Sequence, residues 1–208
     1  MAKSTSEFVA IPGTTPTPFG RVLFNQCFEV DDKGKFSLML AFKKSDIDTP
    51  EFKAMKDCLN QAAAEKFGCK TYKGPYVVTK GDKTKEHDLN SPFKTSDDYD
   101  FLEDDEVGVR LKSKFMPQIV DADGETYLTS DVDFYSGCIA RAMYTATAYD
   151  VDANRGTQFQ LESLQKVGVG KRFVGQRKPA AAAYGAVAQD PDVQDMPNEE
   201  EGGEDTEF

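Results

Sequence analysis

Carboxylates are the densest chemistry in this chain. Asp97, Asp98, Asp100, Glu103, Asp104, Asp105 and Glu106 fall within ten residues. Held at fixed positions, a few such groups bind Mg²⁺ and cleave phosphodiesters. Consecutive in a loop, they spread into solvent, so a metal-dependent nuclease stands here as an alternative. His87 is the single histidine, which excludes most His-dependent triads. Cys27, Cys58, Cys69 and Cys138 stand far apart with no Cys-x-x-Cys, and read as buried reduced thiols rather than zinc ligands. No phosphate-cradling Gly-x-x-x-x-Gly-Lys-Ser/Thr loop and no Gly-x-Ser-x-Gly elbow occurs. The balance favours binding over catalysis, with no cofactor and no metal expected.

The cations suggest what is bound. Lys70, Lys73, Lys80, Lys83 and Lys85 face a single acid, Asp82, across sixteen residues, with Tyr72 and Tyr76 among them. Lysines meet phosphates and rings stack on bases, so this mixture suits a single-stranded nucleic acid; an ordinary solvated hairpin would look the same. Further on, Arg110, Lys112 and Lys114 recur at every second residue. On a strand that spacing places them on one face, roughly 7 Å apart, where they can track a phosphate backbone. Lys43, Tyr135, Arg141, Tyr149, Arg155, Lys171 and Arg172 complete the candidate contacts.

The end of the chain changes the reading of the charge. The formal net charge is −11, from 36 acidic and 25 basic residues. Nine of the acids lie in the last nineteen residues, Asp190 to Phe208, and the other 27 nearly balance the bases. A near-neutral body can carry a basic groove. The acidic segment cannot bury enough apolar surface to order itself, so a disordered tail is expected over 190–208. Its final Phe208, beside Glu204, Asp205 and Glu207, suits a partner with a small apolar pocket in a basic surface. An acidic mimic of DNA and a structural virion component are the remaining alternatives.

Elements must position these groups. The apolar fraction of 39% and 15 phenylalanines supply a core for one domain. No apolar run reaches 18 residues, so no membrane span is expected, and the polar N-terminus suggests the cytoplasm. An extended arm over 1–19 precedes a strand from Arg21 to Val30 with Val22, Phe24, Phe28 and Val30 on one face. After the turn Asp31-Asp32-Lys33-Gly34, Phe36, Leu38, Leu40 and Phe42 alternate with Ser37, Met39, Ala41 and Lys43, which makes a hairpin. Thr49, Pro50 and Glu51 open a helix of about 49–67 with Phe52, Met55, Leu59, Ala62 and Ala63 on one face, closed by Gly68. Later strands are expected over Val107–Met116 (Val107, Val109, Leu111 and Phe115 inward), over Phe134–Tyr149 with a bend at Gly137, and over Gln158–Lys166 after a turn at Asn154-Arg155-Gly156. The pattern is mainly β: an OB-fold-like five-stranded barrel over 20–178 with one prominent helix and additional hairpins, then an alanine-rich linker over 179–189 and the tail.

Particular residues carry a family resemblance. Pro117-Gln118-Ile119-Val120-Asp121-Ala122-Asp123-Gly124, Phe134-Tyr135-Ser136-Gly137-Cys138, Tyr149-Asp150, Asn154-Arg155-Gly156 and Leu164-Gln165-Lys166-Val167-Gly168 resemble a phage family of single-stranded-DNA-binding proteins formerly described as a domain of unknown function. The resemblance spans about residues 20 to 175 and implies an OB-fold. The acidic tail ending in Phe208 is similar to those of podovirus replication proteins of the same function. It implies a tail that covers the DNA groove in the free protein and recruits DNA polymerase and helicase/primase. A homodimer is compatible with this reading.

Overall fold

The computed structural model describes residues 9–80, 83–151 and 154–173. The chain divides into two units, Met1–Gly175 and Gln176–Phe208; the described residues fall within the first, and the linker and tail lie outside them. In order come β1 (Val9–Pro12), β2 (Gly20–Gln26), β3 (Phe36–Lys43), a 3-10 turn (Lys44–Asp48), α1 (Pro50–Phe67), β4 (Pro75–Lys80), β5 (Lys83–Asp88), β6 (Phe93–Lys94), β7 (Glu106–Ser113), β8 (Gln118–Val120), β9 (Ile139–Val151) and β10 (Asn154–Gly168).

Five of these strands close on themselves in the order β2-β3-β7-β10-β9, because β9 pairs with both β2 and β10. Only β7 and β10 run parallel within this ring. This is the five-stranded OB-type barrel, with β2, β3, β7, β9 and β10 as its first to fifth strands. The other strands extend it. β1 pairs with the far half of β9, β8 runs parallel to the end of β10, and β6 lies beside β7. β4 and β5 form a separate hairpin.

The barrel interior holds Val22, Leu38, Leu40, Phe42, Val109, Leu111, Tyr144, Phe159 and Leu161. β9 lines it with Ala140, Ala142 and Ala146; these small residues leave room for the Tyr144 ring, which meets Phe159 edge-on at 5.0 Å. Helix α1 adds Phe52, Met55 and Leu59 to the same core, packing against β1, β9 and β10. Its ends form as their residue types dictate. Thr49 accepts the Phe52 N–H at 3.3 Å, Pro50 stands at the first position, and Gly68 closes the helix at φ 69°.

Several boundaries differ from the sequence expectation. β2 stops at Gln26, and Val30 is exposed: the next N–H, that of Cys27, donates to Asn25 Oδ1, while Asp31 accepts the Lys33 and Lys35 N–H groups in the expected turn. β7 stops at Ser113, leaving Phe115 outside the core and 77% exposed. The expected bend at Gly137 is a turn that ends before β9 begins. Gly137 has φ 113°, and a Cβ there would collide with the Lys171 carbonyl, so only glycine fits the crossing. Asn154, Arg155 and Gly156 belong to β10 rather than to a turn, pairing with Val151, Asp150 and Tyr149.

Candidate nucleic-acid interface

The outer face of β2, β3 and β7 is where the chain departs from regular geometry. Leu23 pairs with Met39 and Gln26 with Ser37, so Phe24 and Asn25 together oppose Leu38. This β-bulge puts Phe24 at φ 50°, the one non-glycine residue with positive φ among those described. A side chain held there costs of order 1–3 kcal/mol and persists only when its surroundings impose it. Asn25 imposes it. Its N–H donates to Ser136 Oγ (2.9 Å), its Nδ2 donates to the Phe134 carbonyl (2.7 Å), and its Oδ1 accepts the Cys27 N–H (3.1 Å).

The bulge turns the Phe24 ring outward onto Phe101 (4.6 Å, edge-on). Phe101 in turn stacks on Tyr99 (4.9 Å, 16°). These rings, with Asn25, Gln26, Met39, Arg110 and Ser136, line an open cleft of about 420 Å³. Gly108 makes room for it. A Cβ there would stand 2.9 Å from Leu102, and Leu102 packs with Leu23, Met39 and Ala41 to seat the loop that carries Tyr99 and Phe101.

That loop is the acidic cluster, and its carboxylates act as struts. Glu106 is 2% exposed and takes both Arg21 Nε (3.2 Å) and Nη2 (2.6 Å). Glu103 and Asp105 hold Lys43 Nζ at 2.8 and 3.0 Å, which pushes that ammonium's pKa up, chiefly through the Glu103 bond. Asp98 accepts the Thr95 N–H, and this bond first of all lowers its carboxyl pKa. Among the described residues no three carboxylates, thiols or imidazoles converge as metal ligands do.

The cations sort into two sets. Lys43 is neutralised by the acidic loop. Arg155 pairs with Asp150 (2.9 Å) and lies over Tyr76. Arg141 donates to Gln165 and covers Phe19. Arg172 stacks on Tyr135 at 4.4 Å, while the Tyr135 hydroxyl bonds both backbone polar groups of Gly170. Arg110, Lys112 and Lys114 form the second set: they follow one another along β7 and its end, and no carboxylate stands within ion-pair distance of them among the described residues. Partial burial first, then the neighbouring Arg110, Lys35 and Lys33, lower the Lys112 pKa.

The expected aromatic contacts divide likewise. Tyr76 is 8% exposed, packed between Phe67 and His87. Tyr72 leans on Phe93 with Lys73 beside it. Tyr149 is half-buried where Gly156 passes its hydroxyl. Lys70 and Lys171 are exposed, and the Lys80 side chain lies outside the described residues. The cleft rings Phe24, Tyr99 and Phe101 escaped the sequence reading. The Phe24 bulge reverses the parity that placed its ring inward, and Tyr99 and Phe101 sit among acids that drew attention to metal chemistry.

An OB barrel that sets a ring of its first strand and two rings of the loop before its third beside the unneutralised cations of that third strand has the kind of face on which such barrels bind oligonucleotides or oligosaccharides. The family follows from the sequence: residues 13–195 match the model described as Enterobacter phage Enc34, ssDNA-binding protein, and the chain belongs to that family. Solved structures show the same fold. The single-stranded DNA-binding protein from bacteriophage Enc34 is 14% identical, with a TM-score of 0.56 over 85% of this chain and 99% of that one. The same protein in complex with ssDNA gives 0.57 at 14% identity, over 83% and 97%. Bacteriophage T7 gp2.5, a single-stranded DNA binding protein, gives 0.51 at 16% identity, over 88% and 100%. A search of curated protein sequences finds no match.

Proposed function

We propose that this protein binds single-stranded DNA without regard to sequence, coating strands exposed during phage replication, recombination or repair. It acts stoichiometrically and without a cofactor, in the cytoplasm of the host cell. The observation that carries this reading is the outer β2–β3–β7 face, where Phe24, Tyr99 and Phe101 stand beside Arg110, Lys112 and Lys114. Every base offers a π-face, so stacking on these rings is tolerant of sequence, and the cations release counterions from the phosphates. The family and a relative solved with ssDNA support it.

Lys70, Lys73, Tyr135, Lys171 and Arg172 are proposed as flanking contacts. The acidic tail competes with DNA for the face and, through Glu204, Asp205, Glu207 and Phe208, recruits replication proteins. Geometry supports the competition. The described chain ends at Phe173, whose ring meets Phe24 at 5.3 Å, and whose N–H is held by the Ser136 carbonyl.

The test is fluorescence anisotropy with labelled single-stranded and duplex oligonucleotides across salt. Single strands are expected to bind more tightly, with a steep salt slope. Phe24→Ala should remove about 1–3 kcal/mol of stacking, a loss of about 5- to 150-fold in affinity. Equal affinity of variant and wild type would exclude the cleft as the stacking site, and no binding of single strands would exclude the function.

A further inference from the structure

A second cleft lies further along β7, beyond the aromatic one. It measures about 360 Å³ and is lined by Lys35, Lys112, Lys114, Phe115, Thr147 and Gln160, among others. Lys35 comes from the end of the β2–β3 loop. Lys112 sits opposite Ser37 on one side and Gln160 on the other. Thr147 and Gln160 belong to β9 and β10, the fourth and fifth strands of the barrel. This cleft therefore extends past the face formed by its second and third strands.

Three observations point to an anion here. Among the described residues no carboxylate stands within ion-pair distance of Lys35, Lys112 or Lys114, whereas Arg21, Lys43, Lys94 and Arg155 each have one. Asp31, the acid that acts on Lys112, accepts the Lys33 and Lys35 N–H groups. The Thr147 hydroxyl is a buried polar group without a partner, in a residue 2% exposed. Buried hydroxyls are ordinarily satisfied, and an orphan in a lysine-lined cleft marks a place for an acceptor. The third observation is Phe115, a ring 77% exposed beside these lysines, its N–H fixed on Ser113 Oγ at 3.2 Å.

We propose that this second cleft is a station for the same nucleic-acid strand: Lys35, Lys112 and Lys114 surround one backbone phosphate, Thr147 donates its hydroxyl to it, and Phe115 stacks on the adjoining base. The inference rests on the single-strand-binding reading above and gives the strand a path. It leaves the Phe24–Tyr99–Phe101 cleft, passes Arg110, and crosses β7 onto β9 and β10. From Arg110 to Lys114 the strand rise covers about 13 Å, so an oligonucleotide long enough to fill both clefts should feel both sets of residues, and a very short one should feel the first alone.

The experiment compares full-length wild type with Lys35→Ala, Phe115→Ala and Thr147→Val on oligothymidines of about 4 and about 16 nucleotides, the limits for one OB-fold. Thr147→Val keeps the shape and removes only the hydroxyl, and unchanged thermal melting checks each fold. On the long oligonucleotide Phe115→Ala is expected to weaken binding about tenfold and Thr147→Val severalfold. Lys35→Ala is expected to reduce the salt slope by about 0.7, as losing one phosphate contact would. The short oligonucleotide should bind all three like wild type. Wild-type affinity and slope for all three variants at both lengths, with Phe24→Ala still defective, would overturn the second station and leave the function standing. Loss of the Phe24→Ala defect as well would remove both.

Discussion

At the scale of single residues, Lys112 is the group whose state DNA should alter. Burial and three nearby cations depress its pKa below 10.5 in the free protein. A phosphate beside it favours the ammonium and raises the value again. Binding therefore takes up a proton once the pH exceeds the depressed value, and affinity falls as the pH climbs through that value towards 10.5. Lys112→Arg keeps its charge throughout, so its affinity is expected to hold over that range while wild type weakens. Anisotropy titrations against pH check this, and parallel profiles would remove Lys112 from the interface. The cation triplet was legible because period-two spacing survives on a regular strand. Phe24 was not, since one bulge shifts parity and the bulge depends on Asn25 reaching Ser136 and Phe134, more than a hundred residues away. Tyr76 misled for the opposite reason: sequence places it among lysines, but Phe67 and His87 enclose it.

At the scale of elements, α1 was read almost residue by residue. Its signals are local: a threonine cap, proline at the first turn, glycine at the end, and five apolar residues on one side. That face is structural. Phe52 is 1% exposed and meets Phe42 edge-on at 5.7 Å and Phe93 at 5.2 Å. Phe52→Ala is expected to cost about 3–5 kcal/mol of stability, read by urea denaturation, while the folded fraction keeps its affinity for single strands. A loss of affinity with stability intact would instead tie the helix to the binding face. Strand ends were less legible than the helix. β2 and β7 stop where the Asn25 side chain and the Ser113 hydroxyl capture the Cys27 and Phe115 N–H groups, and the hydrophobic pattern beyond them, with Val30 and Phe115, looks no different.

For the whole molecule, the charge split matters most. Four of the seven acids of the 97–106 loop, Asp98, Glu103, Asp105 and Glu106, pair with Lys94, Lys43 and Arg21, and none of the seven stands within ion-pair distance of the β7 cations. On the reading proposed above, the nine acids of the last nineteen residues compete for those cations. A 1–189 truncation is expected to bind single strands more tightly than the full chain, most of all at low salt, where screening is weakest. Equal affinity at every ionic strength, measured by the same anisotropy titration, would sink the competition while sparing the binding face. The mainly β class was legible because alternation and turn spacing carry it, and the linker and tail lie outside the described residues. The order β2-β3-β7-β10-β9 was not, because closure depends on β9 choosing partners on both sides.

That closure bears on crowding. A protein that lines up copy against copy along one strand brings barrels to very high local concentration, the condition in which an exposed sheet edge recruits its neighbour into a continuous sheet. With β9 bonded to both β2 and β10, each of the five strands of the ring has a partner on both sides. What flanks it is brief: the four residues of β1, ending in Pro12, and the three of β8, too short to template another chain. The longer open edges among the described residues belong to the separate β4–β5 hairpin, whose Lys80, Lys83, Lys85 and Glu86 are the charged residues that discourage such pairing. Copies crowded together on a strand would then meet through side chains rather than fuse through their backbones.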